Sequence, residues 1–212
     1  MRELAIKVCG MRDYENIKSL AELQPDFMGF IFYEKSPRNA NHILDENLLN
    51  SLPQDINKVG VFVNAHLEEI LEKAEKYGFT HVQLHGKESP DFCKTVQVEG
   101  FKVIKAFSIS EEFDFETLNA YAGTVDYYLF DTKGKSEGGN GIKFNWDLIT
   151  NLKPEAPFFL SGGLELQDAE AIKALQQKNR ALFAIDINSK FELQPGLKDL
   201  NKINSLINLL EV

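Results

Sequence analysis

The 212-residue chain contains only two cysteines, Cys9 and Cys93, and one tryptophan. Two cysteines are too few for a disulfide framework, and neither lies in a Cys-x-x-Cys or Cys/His pattern of the kind that binds zinc. We therefore expect no metal site and a reducing compartment, the cytoplasm. No apolar run is long enough to span a bilayer or to act as a signal peptide, so we expect no association with membranes.

Positive charge is also scarce. Lysine and arginine number 23 against 32 aspartates and glutamates, which gives a net charge of −9. Such a chain is a poor general partner for nucleic acids or anionic membrane surfaces, because their charge has the same sign. A small anion is not excluded, since a few backbone N–H groups can bind it locally. The chain also has no low-complexity segment or linker, so we expect residues 1–212 to form one domain.

Short apolar runs alternate with helix-like segments eight times. Several runs are continuous, as in Met28–Phe32, which is typical of strands buried on both faces of a parallel sheet. The predicted strands are Ala5–Val8, Phe27–Phe32, Lys58–Val63, His81–Leu84, Lys102–Ala106, Tyr127–Phe130, Phe158–Leu160 and Leu182–Ile187. Eight β–α units predict a closed (β/α)8 barrel of the TIM type. An open doubly wound sheet is the alternative, but no Gly-x-Gly-x-x-Gly follows the first strand.

The segments between these runs carry helix start and stop signals. Polar N-caps, a Pro at the first helical position and a closing Gly are typical of helix ends. The predicted helices run from Asp13 to about Leu23, from about Asp45 to Leu52, over Leu67–Lys76, from Ser89-Pro90 to Val96, over Leu166–Leu175 and over Asp199–Leu210. The longest predicted loop, Asp131–Lys143, is rich in glycine and charge, and long loops in compact domains are usually functional.

Reactive side chains stand where the predicted strands end, which is where barrels of this kind carry out chemistry. The first strand leads into Cys9, and the sixth leads into Asp131, where partial desolvation suits a general acid. A free cysteine is more often a buried apolar residue, and such an aspartate is often a cap. A base and an acid on different sides of the barrel mouth are nevertheless the minimum for isomerisation by proton transfer.

The loops after the seventh and eighth strands are the pair that often binds phosphate in barrels. The residues expected there are Gly162, Gly163, Asn188 and Ser189. These glycines alone would more often make tight turns, but their position favours a phosphate site. The sequence therefore predicts a phosphorylated small molecule as the binding partner.

Three further residues are candidate substrate contacts. Arg38 follows Ser36-Pro37, and its planar guanidinium suits a carboxylate, although most single loop arginines are solvated. His85, before Gly86, is as often structural as it is a ligand. Asp186 is the second carboxylate at a strand end.

These residues lie in runs that resemble the phosphoribosylanthranilate isomerase family of tryptophan biosynthesis. The runs are Lys7–Gly10, Gly29–Tyr33 with Ser36–Arg38, Val59–Asn64, Gln83–Gly86, and the Asp131 loop that ends in Gly138-Gly139-Asn140-Gly141. The resemblance spans nearly the whole chain and implies an Amadori rearrangement of an aminoaldose to an aminoketose without a cofactor.

The resemblance also implies roles for single residues. Cys9 would be the general base and Asp131 the general acid, while Arg38 would hold the anthranilate carboxylate. The loops of Gly162-Gly163 and Asn188-Ser189 would hold the phosphate. The chain departs from the family pattern at Lys190, where glycine is usual, at Asn140 and at Ser161. At Lys190 the phosphate would gain a cation, or the backbone would lose a positive φ.

Other readings remain open. A sugar-phosphate isomerase of histidine biosynthesis would use two aspartates. Indoleglycerol-phosphate synthase would need a lysine near the first strand end, and Lys7 shares the strand face of Cys9. A non-catalytic phosphate-binding barrel belongs to a different class. The sequence allows either a monomer or a homodimer.

Overall fold

A closed barrel of eight parallel strands forms the centre of the computed structural model, which describes residues 3–132 and 144–211. Each strand pairs with its neighbours in sequence, and β1 pairs with β8 to close the ring. The strands are β1 Ala5–Cys9, β2 Phe27–Phe32, β3 Asn57–Phe62, β4 His81–Leu84, β5 Lys102–Ile109, β6 Tyr127–Thr132, β7 Phe158–Leu160 and β8 Leu182–Ile187. The predicted fold class is confirmed. The predicted loop residues 133–143, including Gly138-Gly139-Asn140-Gly141, lie outside the described residues.

Helices connect the strands, and local signals fix several of their ends. Asp13 caps the helix Tyr14–Glu22 by accepting a hydrogen bond from Asn16 N, and Ser89 caps the helix Pro90–Val98 in the same way from Phe92 N. Gly78 ends the helix Leu67–Tyr77 in the left-handed conformation with φ 64°. The helices are α1 Tyr14–Glu22, α2 Glu46–Ser51, α3 Leu67–Tyr77, α4 Pro90–Val98, α5 Asp147–Thr150, α6 Ala169–Lys178 and α7 Leu200–Glu211. In the described residues, no helix is both long and apolar enough to cross a membrane.

Some of the connections between strands differ from the sequence prediction. The connection between β5 and β6 is a 3-10 helix, Phe115–Tyr121, whose aromatic side chains pack on Phe107 and Phe130. A two-stranded antiparallel hairpin, β9 Glu192–Gln194 and β10 Leu197–Lys198, follows β8 and was not predicted. These strands are only three and two residues long, too short to show a period, so the hairpin's only sequence signal is its turn residues.

The barrel interior is lined by side chains at every second strand position, as the pleat requires. The apolar interior comprises Ala5, Cys9, Phe27, Val59, Val61, Ile104, Ala106, Leu129, Phe159 and Ala184. Aromatic rings fill the end where the strands begin, with Phe27 5.3 Å and Tyr127 5.4 Å from Phe159 between ring centroids. The polar ring of His81 joins this aromatic layer, 5.2 Å from the Phe27 ring between centroids.

Candidate active site

Cys9 and Asp131 both face the barrel interior at the end where the strands finish. Cys9 follows Ala5 in the inward-facing alternation of β1, and Asp131 follows Leu129 in that of β6. The strands β7 and β8 separate β6 from β1 in the ring. The thiol and the carboxyl group therefore enter the same end of the barrel from different strands.

The thiol of Cys9 is buried next to a glycine. Gly29 of β2 pairs with Cys9, and a Cβ atom placed on Gly29 would lie 2.9 Å from Cys9 Sγ and 3.1 Å from Lys7 Nζ. The missing side chain at Gly29 thus makes room for both groups. Burial raises the pKa of Cys9, and the nearby Lys7 ammonium opposes that rise.

Lys7 is completely buried inside the barrel and pairs with Asp186. Lys7 Nζ donates to Asp186 Oδ1 at 2.8 Å, between strand positions that are in register. Burial acts to lower the pKa of Lys7, but the charges of Asp186 and Cys9 outweigh it and the pKa is raised. Burial also raises the pKa of Asp186, and Lys7 offsets part of that rise. Sequence reasoning placed Lys7 on the face of Cys9 but missed its partner.

Asp131 contacts His85, which follows β4. His85 Nε2 lies 3.5 Å from Asp131 Oδ2, and His85 Nδ1 lies 2.8 Å from Gln83 Nε2. The Gln83 amide thus holds one ring nitrogen of His85, and the other ring nitrogen faces Asp131. Asp131 also acts on Asp186, since its charge contributes to the raised pKa of Asp186. The two predicted carboxylates and His85 therefore belong to one cluster.

Arg38 lies beside the site with its guanidinium already paired. Its Nε and NH2 donate to both carboxylate oxygens of Glu192 on the hairpin, at 2.7–3.0 Å. Lys198 Nζ donates to the same carboxylate and to Asn188 Oδ1, each at 2.7 Å. Arg38 and Asn188 both pack against Gly10, directly after Cys9. Sequence reasoning missed Glu192 and Lys198, because they lie in the short hairpin beyond β8.

The predicted phosphate residues follow β7 and β8. Gly162 and Gly163 have φ of 94° and 66°, and Gly162 packs directly on Asp131 and Thr132. Ser189 begins a 3-10 turn, Ser189–Phe191, which exposes backbone N–H groups at its start. The loop of Gly162 therefore adjoins Asp131, whereas Asn188 adjoins Gly10 on the side of Cys9.

Lys190 bridges the two predicted phosphate loops. Its Nζ lies 3.0 Å from Glu165 Oε1, in the loop after β7. Lys190 is not among the described residues with positive φ, so its side chain introduces no backbone strain there. In the described part of the chain, no group of three or more histidine, cysteine or acidic residues is arranged to hold a metal ion.

The family model of N-(5'-phosphoribosyl)anthranilate isomerase matches residues 6–209. The chain belongs to this family. It is 46% identical to the N-(5'-phosphoribosyl)anthranilate isomerase of Parabacteroides distasonis, covering 96% of this chain and 92% of the relative. It is 41% identical to that of Phocaeicola vulgatus, covering 98% of each.

Solved structures of the family have the same architecture. Phosphoribosylanthranilate isomerase from Thermotoga maritima is similar with a TM-score of 0.84 and 34% identity, covering 98% of each chain. A family structure in complex with reduced 1-(o-carboxyphenylamino)-1-deoxyribulose 5-phosphate has a TM-score of 0.80 and 32% identity, again over 98% of each chain. The similarity therefore extends over nearly the whole chain.

Proposed function

We propose that this chain isomerises N-(5'-phosphoribosyl)anthranilate to 1-(2-carboxyphenylamino)-1-deoxyribulose 5-phosphate in tryptophan biosynthesis, without a cofactor. The observation that carries the proposal is the placement of Cys9 and Asp131 at the same end of the barrel interior, in a chain of this family. The ligand of the related structure, a reduced form of the product, supports the substrate class. The reading as a non-catalytic barrel is disfavoured, because both proton-transfer groups are present.

In the first step, Asp131 acts as the general acid. Its carboxyl proton passes to the ring oxygen of the ribose, and the bond between that oxygen and C1 breaks. The lone pair of the anthranilate nitrogen forms the C1=N bond, which gives an open-chain iminium ion. His85, whose Nε2 contacts Asp131, orients the carboxyl group for this transfer.

In the second step, Cys9 acts as the general base in its thiolate form. It removes the proton from C2, and the electron pair of that bond forms C1=C2 while the iminium electrons return to nitrogen. The enolamine then gains a proton at C1 and loses the one on the C2 hydroxyl, which gives the ketone. The positive iminium nitrogen makes the C2 proton acidic, so the reaction needs no metal ion.

Binding groups surround these two residues. Arg38 would bind the anthranilate carboxylate, and Asp186 would contact the sugar. The N–H groups of Gly162, Gly163 and Ser189 and the side chain of Asn188 would hold the phosphate. One solved structure similar to this chain contains monomers generated from the dimeric phosphoribosylanthranilate isomerase of Thermotoga maritima. We propose that this chain is a monomer or a homodimer. A cytoplasmic location and a single catalytic domain over residues 1–212 complete the proposal.

Steady-state turnover of phosphoribosylanthranilate tests the assignment. Cys9→Ala and Asp131→Asn should each fold normally and lose at least about a hundredfold in kcat, the scale of one general acid or base. The substrate's anthranilate fluorescence should fall as it rearranges, and only with Cys9 present. Exposed Asp147 provides a control, since Asp147→Asn should leave kcat unchanged. Near-wild-type turnover in either site variant would refute the assignment.

A further inference from the structure

We propose that Lys7 is a positioning residue for the reaction, whose buried ammonium group stabilises the thiolate form of Cys9. The proposal rests on the function above, in which Cys9 is the base, and it adds Lys7 as the group that makes this base effective. Lys7 itself would not touch the substrate, because it is completely buried one inward-facing position below Cys9.

The distances allow a direct interaction between the two groups. Lys7 Nζ and Cys9 Sγ each lie about 3 Å from the position that a Cβ atom of Gly29 would occupy. They are therefore within about 6 Å of each other, the range in which an opposite charge favours an ionised group. The positive charge of Lys7 this close to the thiol acts to lower the pKa of Cys9.

Packing does not explain a lysine at this position. An ion pair buried inside a protein adds little stability over apolar residues of similar volume, because both charges lose their hydration. The inner face of the barrel is apolar on β3 and β5, where Val59 and Ile104 stand. The pair of Lys7 and Asp186 therefore needs a reason other than stability, and the thiol beside it supplies one.

Besides Lys7, the charged groups that act on Cys9 are Asp186 and Lys198. Asp186 of β8 raises the pKa of Cys9, and Lys198 of the hairpin lowers it. Behind them, His85 and Asp131 act on Asp186, while Glu192 and Arg38 act on Lys198. Lys7 is the charged group with the largest effect on Cys9 among these neighbours.

Titration of the thiol tests the proposal without any substrate. Ultraviolet absorbance of the thiolate should be followed against pH, with the matching Cys9→Ser protein subtracted in every background to remove the tyrosine signal. Cys93 does not interfere, because burial raises its pKa to about 12. Lys7→Met should move the Cys9 midpoint upward, with about a tenfold or greater loss of thiolate at neutral pH. Asp186→Asn should move it downward.

The Cys9 midpoint should move in opposite directions in Lys7→Met and Asp186→Asn, which distinguishes an electrostatic role of Lys7 from a structural one. Loosened packing would shift both variants in the same direction, or neither. Lys7→Arg keeps the positive charge and should restore most of the wild-type midpoint. If Lys7→Met is folded and its midpoint is unchanged or lower, or if the two variants move together, the proposal is wrong.

Lys7→Met leaves Asp186 buried without its partner, and this variant could fail to fold for that reason. A second comparison therefore tests the proposal without the single variant. The double variant Lys7→Met/Asp186→Asn is neutral at both positions and is compared with Asp186→Asn alone. The double variant should have the higher midpoint, and equal midpoints would overturn the proposal. In turnover assays, the acidic limb of the kcat profile should move upward with the thiol midpoint in Lys7→Met. The titration tests only the effect of Lys7 on the thiol, whereas turnover by Cys9→Ala tests the proposed function.

Discussion

Arg38 and Glu192 form a bidentate ion pair that joins the loop after β2 to the hairpin after β8. Both carboxylate oxygens accept hydrogen bonds from the guanidinium, at 2.7–3.0 Å, and the side chains are 11% and 4% exposed. Burial acts to raise the pKa of Glu192, but Arg38 and Lys198 outweigh it and the pKa is lowered. The NH1 nitrogen takes no part in this pair, which leaves that edge of the guanidinium for a substrate carboxylate.

Arg38→Met should mainly raise KM for phosphoribosylanthranilate. A hydrogen bond to a charged group contributes about 1.5–3 kcal/mol, which corresponds to roughly a 10- to 100-fold increase, while kcat should stay within a few fold. Glu192 keeps Lys198 as a partner in this variant, so the hairpin should remain folded. Steady-state kinetics beside the surface variant Arg180→Met provide the measurement. An unchanged KM would remove Arg38 from the substrate site.

Glu192→Gln should raise KM through Arg38. The amide keeps the shape of the carboxylate but loses the charge that fixes the guanidinium. A double-mutant cycle tests whether Glu192 acts only through Arg38. In that case Arg38→Met/Glu192→Gln should have the same KM as Arg38→Met alone. Glu170→Gln, at an exposed ion pair with Lys173, serves as the control. Additive effects of the two substitutions would show that Glu192 acts independently of Arg38.

Gly162→Ala should lower both stability and phosphate binding. A Cβ atom there would collide with the Thr132 hydroxyl and come within 2.7 Å of Thr132 N and 3.0 Å of Asp131 Oδ1. Gly100→Ala is a matched control, because Gly100 has a similar φ of 98° but open space around it. Overpacking typically costs about 1–3 kcal/mol, so Gly162→Ala should lose that much more stability than Gly100→Ala. Chemical denaturation and inhibition by inorganic phosphate measure the two effects, and equal losses would contradict the close approach.

Lys105→Met should destabilise the fold strongly. Lys105 faces away from the barrel interior and donates to Glu88 Oε2 at 3.0 Å and to Gly86 O at 2.8 Å. Both side chains are at most 3% exposed, and removing one partner of such a pair costs about 3–5 kcal/mol. On the same strand, Lys102 pairs with Asp126 but is 60% exposed, so Lys102→Met should cost at most about 1 kcal/mol. Denaturant midpoints compare the two, and equal losses would contradict a buried pair.

His81 makes the free energy of unfolding depend on pH. Burial lowers its pKa to about 4 from 6.5, and it lies edge-on to the Phe27 ring at 5.2 Å. The folded pKa is the lower one, so stability is fully present above pH 6.5 and is lost as pH falls towards 4. Between pH 7 and pH 5 this group should contribute a loss of about 2 kcal/mol. His81→Phe should remove that part of the slope, and an unchanged slope would exclude His81 as its origin.

The sequence was sufficient where local patterns determine structure. Every strand of the barrel was predicted to within three residues of its ends, because runs such as Phe27–Phe32 are apolar throughout. The period of two then places Cys9 and Asp131 on inward faces without further information. The structure extends β6 to Thr132, so Asp131 lies within the strand instead of following it.

The sequence was insufficient where distant charges meet. Lys7 and Asp186 are 179 positions apart, and only barrel closure places them in register. The partner of Arg38 could not be predicted for a similar reason, since Glu192 lies 154 positions away in an unpredicted hairpin. The guanidinium group of Arg38 was enough to predict that it binds a carboxylate, but the sequence did not indicate how the side chain is oriented.

The link between β1 and β8 has a consequence for how the barrel is made. Lys7 is synthesised near the start of the chain, and its counter-charge leaves the ribosome 179 residues later. Until then the ammonium group retains its water, because burying it alone would cost several kcal/mol. The pairing of β1 with β8, which closes the barrel, therefore forms only after β8 has been translated.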